Sequence, residues 1–203
     1  MRNSEFHLEY TPERVSKIIL QWELCKMVQG VEGSIVECGV FRGASLLRFA
    51  YYNKILGGDR TIIGFDVFGK FPEATYEPDK EDRYAFVATQ GDGYDIDNVR
   101  QLILDRGGGW TYLIKGDVCK TVPEYVKWND TLKIALLNID TDLYEPAKVA
   151  LENLYSKVAT GGIIVSDNHL IFPGEAKAFS EFCMEHNLPM LKMELFNHYY
   201  IRK

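Results

Sequence analysis

Two rhythms of apolar residues take turns along the chain. Between residues 12 and 29, Val15, Ile18, Ile19, Trp22 and Met27 recur at helical spacing. Thr11 is placed to cap that helix, Pro12 suits its first position, and Gly30 and Gly33 end it. Residues 34–38 are a short apolar run, read as a strand. Residues 44–56 return to helical spacing, with Leu46, Leu47 and Ala50 inward. Further strands are predicted at 61–66, 112–115, 133–140 and 162–167, with helices at 96–106, 144–158 and 174–186. The tail predicts two strands, 190–196 and 199–202, with a turn at Asn197-His198. Residues 67–93 carry Pro72, Pro78 and many charges and are read as a loop. Their charged part, 73–83, is either a solvated, mobile stretch or a lid over substrate.

Strands alternating with helices predict a parallel sheet with right-handed crossovers, closed by two late strands that break the alternation. The runs at 34–38, 133–140 and 162–167 are continuously apolar, as in strands covered on both faces. Ligands on such sheets bind at the carboxyl ends of the strands, where strand order reverses.

The 203 residues, 46% hydrophobic and 26% charged, predict one domain with a sizeable core. Within 1–203, residues 1–30 form an N-terminal helical cap and 31–203 the α/β core. The net charge of −6 repels phosphate backbones and argues against nucleic acid as a partner. Cys25, Cys38, Cys119 and Cys183 show neither disulfide nor zinc spacing and are read as reduced, mostly buried thiols. The first ten residues are polar, and no apolar run approaches membrane-spanning length. The expectation is a cytoplasmic protein without a membrane partner. Trp22, Trp110 and Trp128 are read as core or interface residues, and His198 as a solvent-exposed turn residue. The N-terminal helix is left two roles, covering the active site or making a homodimer contact.

The predicted strands end in polar groups: Glu37-Cys38-Gly39, Phe65-Asp66, Lys115-Gly116-Asp117, Ile139-Asp140-Thr141-Asp142 and Ser166-Asp167-Asn168-His169. Carboxylates gathered at one sheet edge repel unless a cation or hydrogen-bond donors compensate them. In the first turn, Gly39 permits a tight bend and close approach by a ligand, and Gly43 lets the next helix start hard against the strand. Val40 and Phe41 fill the middle, so the turn lacks the glycine spacing of a dinucleotide fingerprint. That counts against a nicotinamide-dependent oxidoreductase. Asp66 can accept the hydroxyls of an adenosine ribose. Asp117 falls where such folds contact the adenine amino group.

Glu37-Cys38-Gly39-Val40-Phe41-Arg42-Gly43 resembles the first motif of class I methyltransferases. Adding Gly64-Phe65-Asp66-Val67-Phe68-Gly69-Lys70-Phe71-Pro72, Lys115-Gly116-Asp117, the run from Ile139-Asp140-Thr141-Asp142-Leu143-Tyr144-Glu145 to Tyr155, and Gly161-Gly162 before Asp167-Asn168, the chain resembles the macrocin O-methyltransferase (TylF-type) family. The resemblance implies a class I, Rossmann-like three-layer sandwich: a mostly parallel seven-stranded sheet with an antiparallel C-terminal strand. It implies S-adenosylmethionine as methyl donor, a divalent cation, usually Mg2+, and a small-molecule hydroxyl acceptor on a sugar or sugar-like compound. Carried over by position, Glu37, Gly39, Gly43, Ser45, Asp66, Asp117 and Asp140 bind the cofactor, and Asp140, Asp167 and Asn168 hold the metal. The family more often has aspartate where this chain has Asn168.

A bound cation lowers the acceptor hydroxyl's pKa and orients its oxygen. Three oxygens from Asp140, Asp167 and Asn168 leave room in an octahedron for two substrate oxygens, predicting a vicinal diol or catechol. The proton acceptor is Asp140, then Asp142 or His169; Asp142 is alternatively the cap of the helix near Tyr144. A metal-independent methyltransferase remains the competing reading.

Overall fold

The computed structural model describes residues 11–167, 172–193 and 198–203. The elements run α1 (Pro12–Met27), β1 (Ser34–Cys38), α2 (Ala44–Ile55), β2 (Ile62–Asp66), α3 (Asp79–Gln90), α4 (Ile96–Asp105) and β3 (Thr111–Lys115). They continue with α5 (Val118–Trp128), β4 (Ile134–Ile139), α6 (Tyr144–Leu154), β5 (Val158–Ser166), α7 (Pro173–Glu185), β6 (Leu191–Lys192) and β7 (Tyr199–Arg202). The seven-stranded sheet has the order β3-β2-β1-β4-β5-β7-β6. The first five strands pair in parallel, β7 runs antiparallel to β5, and β6 antiparallel to β7. This is the class I methyltransferase architecture. Strand order reverses between β1 and β4, so a crevice opens at their carboxyl ends.

Period-two alternation sends β1 residues to two cores. Val36 and Cys38 pack with α5, α6 and α7 on one face. Ile35 joins Leu20 and Leu24 of α1 and Phe49 of α2 on the other. Fully burying such side chains stabilises by about 1.5–3 kcal/mol each, which is why these strands are apolar throughout. β4 is buried at every position.

Two helices escape the sequence pattern. Residues 79–90, predicted as loop, form α3. Its first turn carries Asp79, Glu81 and Asp82, which favour a helix N-terminus. Its anchor is tertiary: Asp79 is fully buried and accepts the backbone N–H of Tyr144 at 3.0 Å and of Gly174 at 2.7 Å. One carboxylate thus satisfies the starts of α6 and α7. The second unforeseen helix, α5, is capped by Asp117 and buries Val118 and Val122 one turn apart. Pro123 inside it removes a donor and masks the helical pattern.

The predicted strand at 190–196 shortens to Leu191–Lys192, and residues 194–197 lie outside the described residues. Trp110 and Trp128 are exposed rather than core, whereas Trp22 packs edge-on against Tyr52. Cys25, Cys38 and Cys183 are buried, Cys119 is half-buried, and all are free thiols. Among the described residues no helix is long and apolar enough to cross a membrane.

Candidate active site

The ladder of backbone hydrogen bonds continues past the strand ends. Gly39 N–H donates to the Phe65 carbonyl, Asp140 N–H to Cys38, Asp167 N–H to Ile139, and Gly116 N–H to Asp66, all at 2.8–2.9 Å. The polar termini of the parallel strands are therefore held edge to edge. Gly39 has φ +94°, and a Cβ there would lie 1.8 Å from the Asp140 carbonyl oxygen. The close approach that glycine permits is thus to the end of β4, not only to a ligand. Phe41, Phe68 and Asp142 also take positive φ, at 54°, 50° and 65°. Strain of this kind at non-glycine residues concentrates at functional sites.

A cavity of about 480 Å³ opens here, lined by Gly39, Val40, Phe41, Ser45, Asp66, Asp140, Thr141 and Asp142. From α1 come Glu13, Arg14 and Lys17; from the 67–93 segment come Phe71, Pro72 and Phe86. Phe86 of α3 stands 5.5 Å from Phe41, 5.4 Å from Phe71 and 6.0 Å from Phe172, ring centre to ring centre. Phe71 and Phe86, which flank the charged 73–83 stretch, form an aromatic wall, and that stretch is tied to it by Asp79 and by Arg83, which donates to the Phe71 and Pro72 carbonyls. A second hollow of about 560 Å³ lies around Gly30, Gly33, Gly57, Gly58 and Arg60. Its carboxylates, Glu32 and Asp59, are exposed rather than buried, and it lacks the strained turns, so the strand-end cavity is the stronger candidate.

The predicted residues divide into groups. Asp66 faces the cavity but is tied down: Oδ2 accepts the N–H groups of Val40 at 2.8 Å and Phe41 at 2.9 Å, and Oδ1 that of Phe68 at 2.6 Å. Burial pushes its carboxyl up, and these three donors pull it back. Ser45 lines the cavity and hydrogen bonds to Glu37. Glu37 itself lies beneath the turn, fully buried, with Asn138 Nδ2 donating to Oε1 at 2.9 Å. Burial pushes it up to about 7. Gly43 sits at the start of α2 with φ 84° and faces Val99 of α4. Asp117 is occupied as the α5 cap, accepting the Cys119 N–H at 2.9 Å. Glu37, Gly43 and Asp117 are not among the residues that line the cavity.

Asp140, Asp142 and Asp167 gather on the other side. Burial, then the charge of Asp167, push the Asp140 carboxyl well above its ordinary range, while Lys17 pulls it down. Burial, then Glu175, do the same to Asp142. The expected cap role of Asp142 falls to Asp79, which takes the Tyr144 N–H; Leu143 occupies the cap position. Asn168 and His169 lie outside the described residues. Among the described residues no cluster of three or more His, Cys, Asp or Glu is arranged to hold a metal.

Sequence pattern alone did not reveal four further residues. Fully buried Glu175 accepts the N–H groups of Thr141 at 3.0 Å and Asp142 at 2.9 Å through Oε2, and Ser166 Oγ donates to Oε1 at 2.9 Å. Lys17 makes an ion pair with Asp167. Burial opposes its charge, but Asp140, Asp167 and Asp142 outweigh that and hold the ammonium above the usual lysine range. His198 is not the exposed turn residue expected. It is half-buried and hydrogen bonds to the Asp167 backbone; burial pushes its pKa down. Asp79 acts at a distance, fixing the wall. Each makes partners far away in sequence; only Pro78-Asp79 with its acidic neighbours carried a local helix-start signal.

The family model for Macrocin-O-methyltransferase (TylF) matches residues 20–202. The chain belongs to this family. Similar curated proteins include the 8-demethyl-8-(2,3-dimethoxy-alpha-L-rhamnosyl)-tetracenomycin-C 4'-O-methyltransferase of Streptomyces olivaceus. It is 28% identical over 154 residues, covering 71% of this chain and 56% of its own. The demethyldecarbamoylnovobiocin O-methyltransferase of Streptomyces niveus is 30% identical over 165 residues, covering 75% and 58%. The TylF-family chain thus spans less than two thirds of the length of these curated relatives. Among solved structures, the calicheamicin methyltransferase CalS11 superposes with a TM-score of 0.80 at 27% identity, over 97% of this chain and 82% of that one. The O-methyltransferase NovP, at 22% identity and TM-score 0.78, shares the fold.

Proposed function

We propose that the chain transfers a methyl group from S-adenosylmethionine to a hydroxyl of a sugar or sugar-like small molecule, with a divalent cation, Mg2+ by preference, at the acceptor. The observation that carries the reading is a single cavity at the strand-order reversal, holding the Gly39 turn and Asp66 on one side and Asp140 and Asp142 on the other. Membership of the TylF family supports it, as does the 27%-identical CalS11. A further CalS11 structure, 25% identical, describes that enzyme as a TDP-rhamnose 3'-O-methyltransferase.

Each side of the cavity supports one of the two groups. Three N–H groups fix Asp66 with its Oδ1 accepting only one of them, so it keeps capacity for a ribose hydroxyl. Asp140 and Asp167 offer neighbouring hard oxygens whose mutual repulsion a dication relieves, and Asn168 follows directly in sequence. When bound, the cofactor supplies an activated sulfonium methyl, and the cation lowers the acceptor hydroxyl's pKa. The chain's own work is positioning. The Gly39 turn and Ser45 border the donor, Phe41, Phe71 and Phe86 exclude water from one wall, and Glu175 fixes the turn that carries Asp142. Holding two reactants in near-attack geometry contributes on the order of 7–11 kcal/mol. Asp140, or Asp142 beside it, faces the cavity and takes the acceptor's proton.

Labelled methyl transfer to a panel of nucleotide-linked deoxysugars, glycosylated aromatics and catechols, with and without EDTA, tests this. Metal-dependent labelling of a vicinal-oxygen acceptor supports the reading. Labelling that EDTA leaves unchanged turns it to metal-free transfer, which the Lys17–Asp167 ion pair favours. No labelling of any hydroxyl acceptor sinks it.

A further inference from the structure

Lys17 enters the carboxylate cluster from outside the sheet. It sits on α1, its ammonium pairs with Asp167, and it also faces Asp140 and Asp142. The Asp167 side chain is 1% exposed and that of Lys17 is 36% exposed, so a buried charge is met by a cation that still opens on the cavity. A buried carboxylate needs such a partner, because removing one member of a buried pair leaves the other's desolvation uncompensated. The same oxygen is one the proposed cation would take. An ammonium and a dication cannot both sit close to it without strong mutual repulsion.

The helix is built to yield at one end. From Ile18 onward it is fixed: Tyr52 Oη donates to the Ile18 carbonyl at 3.1 Å, Leu20, Gln21, Leu24 and Cys25 are buried, and Arg48 Nε donates to Gln21 Oε1 at 2.6 Å. Its first turn is exposed and borders the cavity through Glu13 and Arg14, with Lys17 one turn further on.

We infer that Lys17 is a positioning residue that acts as the protein's own counter-ion to Asp167 and Asp140 in the cation-free state, and surrenders Asp167 when a divalent cation binds. Cation affinity and the placement of the first turns of α1 are then two ends of one equilibrium. This rests on the reading of Asp140 and Asp167 as cation ligands.

The test is Mn2+ binding to the full chain, followed by electron paramagnetic resonance, in wild type, Lys17→Met and Lys17→Arg. Lys17→Met removes the competitor and keeps the length of the side chain. It is expected to bind Mn2+ on the order of tenfold more tightly, while Lys17→Arg stays near wild type. Lys17→Gln serves the same purpose if Lys17→Met does not fold. In wild type, Mn2+ is expected to speed amide exchange at residues 13–17 and leave residues 20–25 unchanged. Equal Mn2+ affinity in wild type and Lys17→Met overturns the exchange but leaves the metal reading standing. Mn2+ binding by neither overturns the metal reading and the exchange with it.

Discussion

The two sides of the cavity solve the same electrostatic problem in opposite ways. On the β1–β2 side, Asp66 is a buried carboxylate compensated by three backbone N–H groups that belong to the fold itself. On the β4–β5 side, Asp140, Asp142 and Asp167 crowd together, and the cation facing them is a lysine from a helix outside the sheet. The first side is finished before any ligand arrives. The second holds charge that a ligand can relieve. On the proposed function, the first side holds the donor, which comes already activated, and the second the acceptor, which must lose a proton.

The largest effect is expected where the two sides meet. Gly39→Ala places a methyl group inside the Asp140 carbonyl at a φ that disfavours alanine. Loss of about 4 kcal/mol of stability, or of soluble protein altogether, is expected by denaturant unfolding. A variant near wild-type stability would show the two strand ends are not locked together.

Glu37 comes next. Its ordinary value is 4.5 and its folded value about 7. A raised folded pKa means its contribution is fully present below 4.5 and is lost as pH rises to 7, when the unfolded chain ionises first. Stability should fall by about 3 kcal/mol across that window. Glu37→Gln should flatten this part of the profile, and an unchanged profile would mean Glu37 is ionised in the folded state.

Asp66→Asn puts an amide N–H against at least one backbone donor, whichever way the amide turns, and should cost roughly 2 kcal/mol. Asp140→Asn should do the reverse, raising the melting temperature by the equivalent of about 1 kcal/mol while abolishing turnover, because it removes a buried repulsion kept for function. Equal signs for the two substitutions would erase the contrast between the sides.

Much of this was legible in the sequence for a local reason. β1, β4 and β5 are covered on both faces, so their apolar runs stand out, and each ends in the polar residues that mark the site. α3 was hidden because its stability comes from Asp79 reaching Tyr144 and Gly174, 65 and 95 residues away. α5 was hidden by Pro123. Lys17, Glu175 and His198 acquire their roles only through contacts that the fold creates. Conversely, Glu37 and Asp117 stand at motif positions, yet Glu37 is buried beneath its turn and Asp117 caps α5.

The most direct test of the division is thermal unfolding with S-adenosylhomocysteine in wild type, Asp66→Asn and Asp167→Asn. At a hundredfold excess over its dissociation constant, the ligand stabilises the folded state by about 2.7 kcal/mol. The account predicts that stabilisation in wild type and Asp167→Asn, and its loss in Asp66→Asn. Stabilisation that survives Asp66→Asn but disappears in Asp167→Asn would place the donor on the wrong side of the cavity and contradict the account.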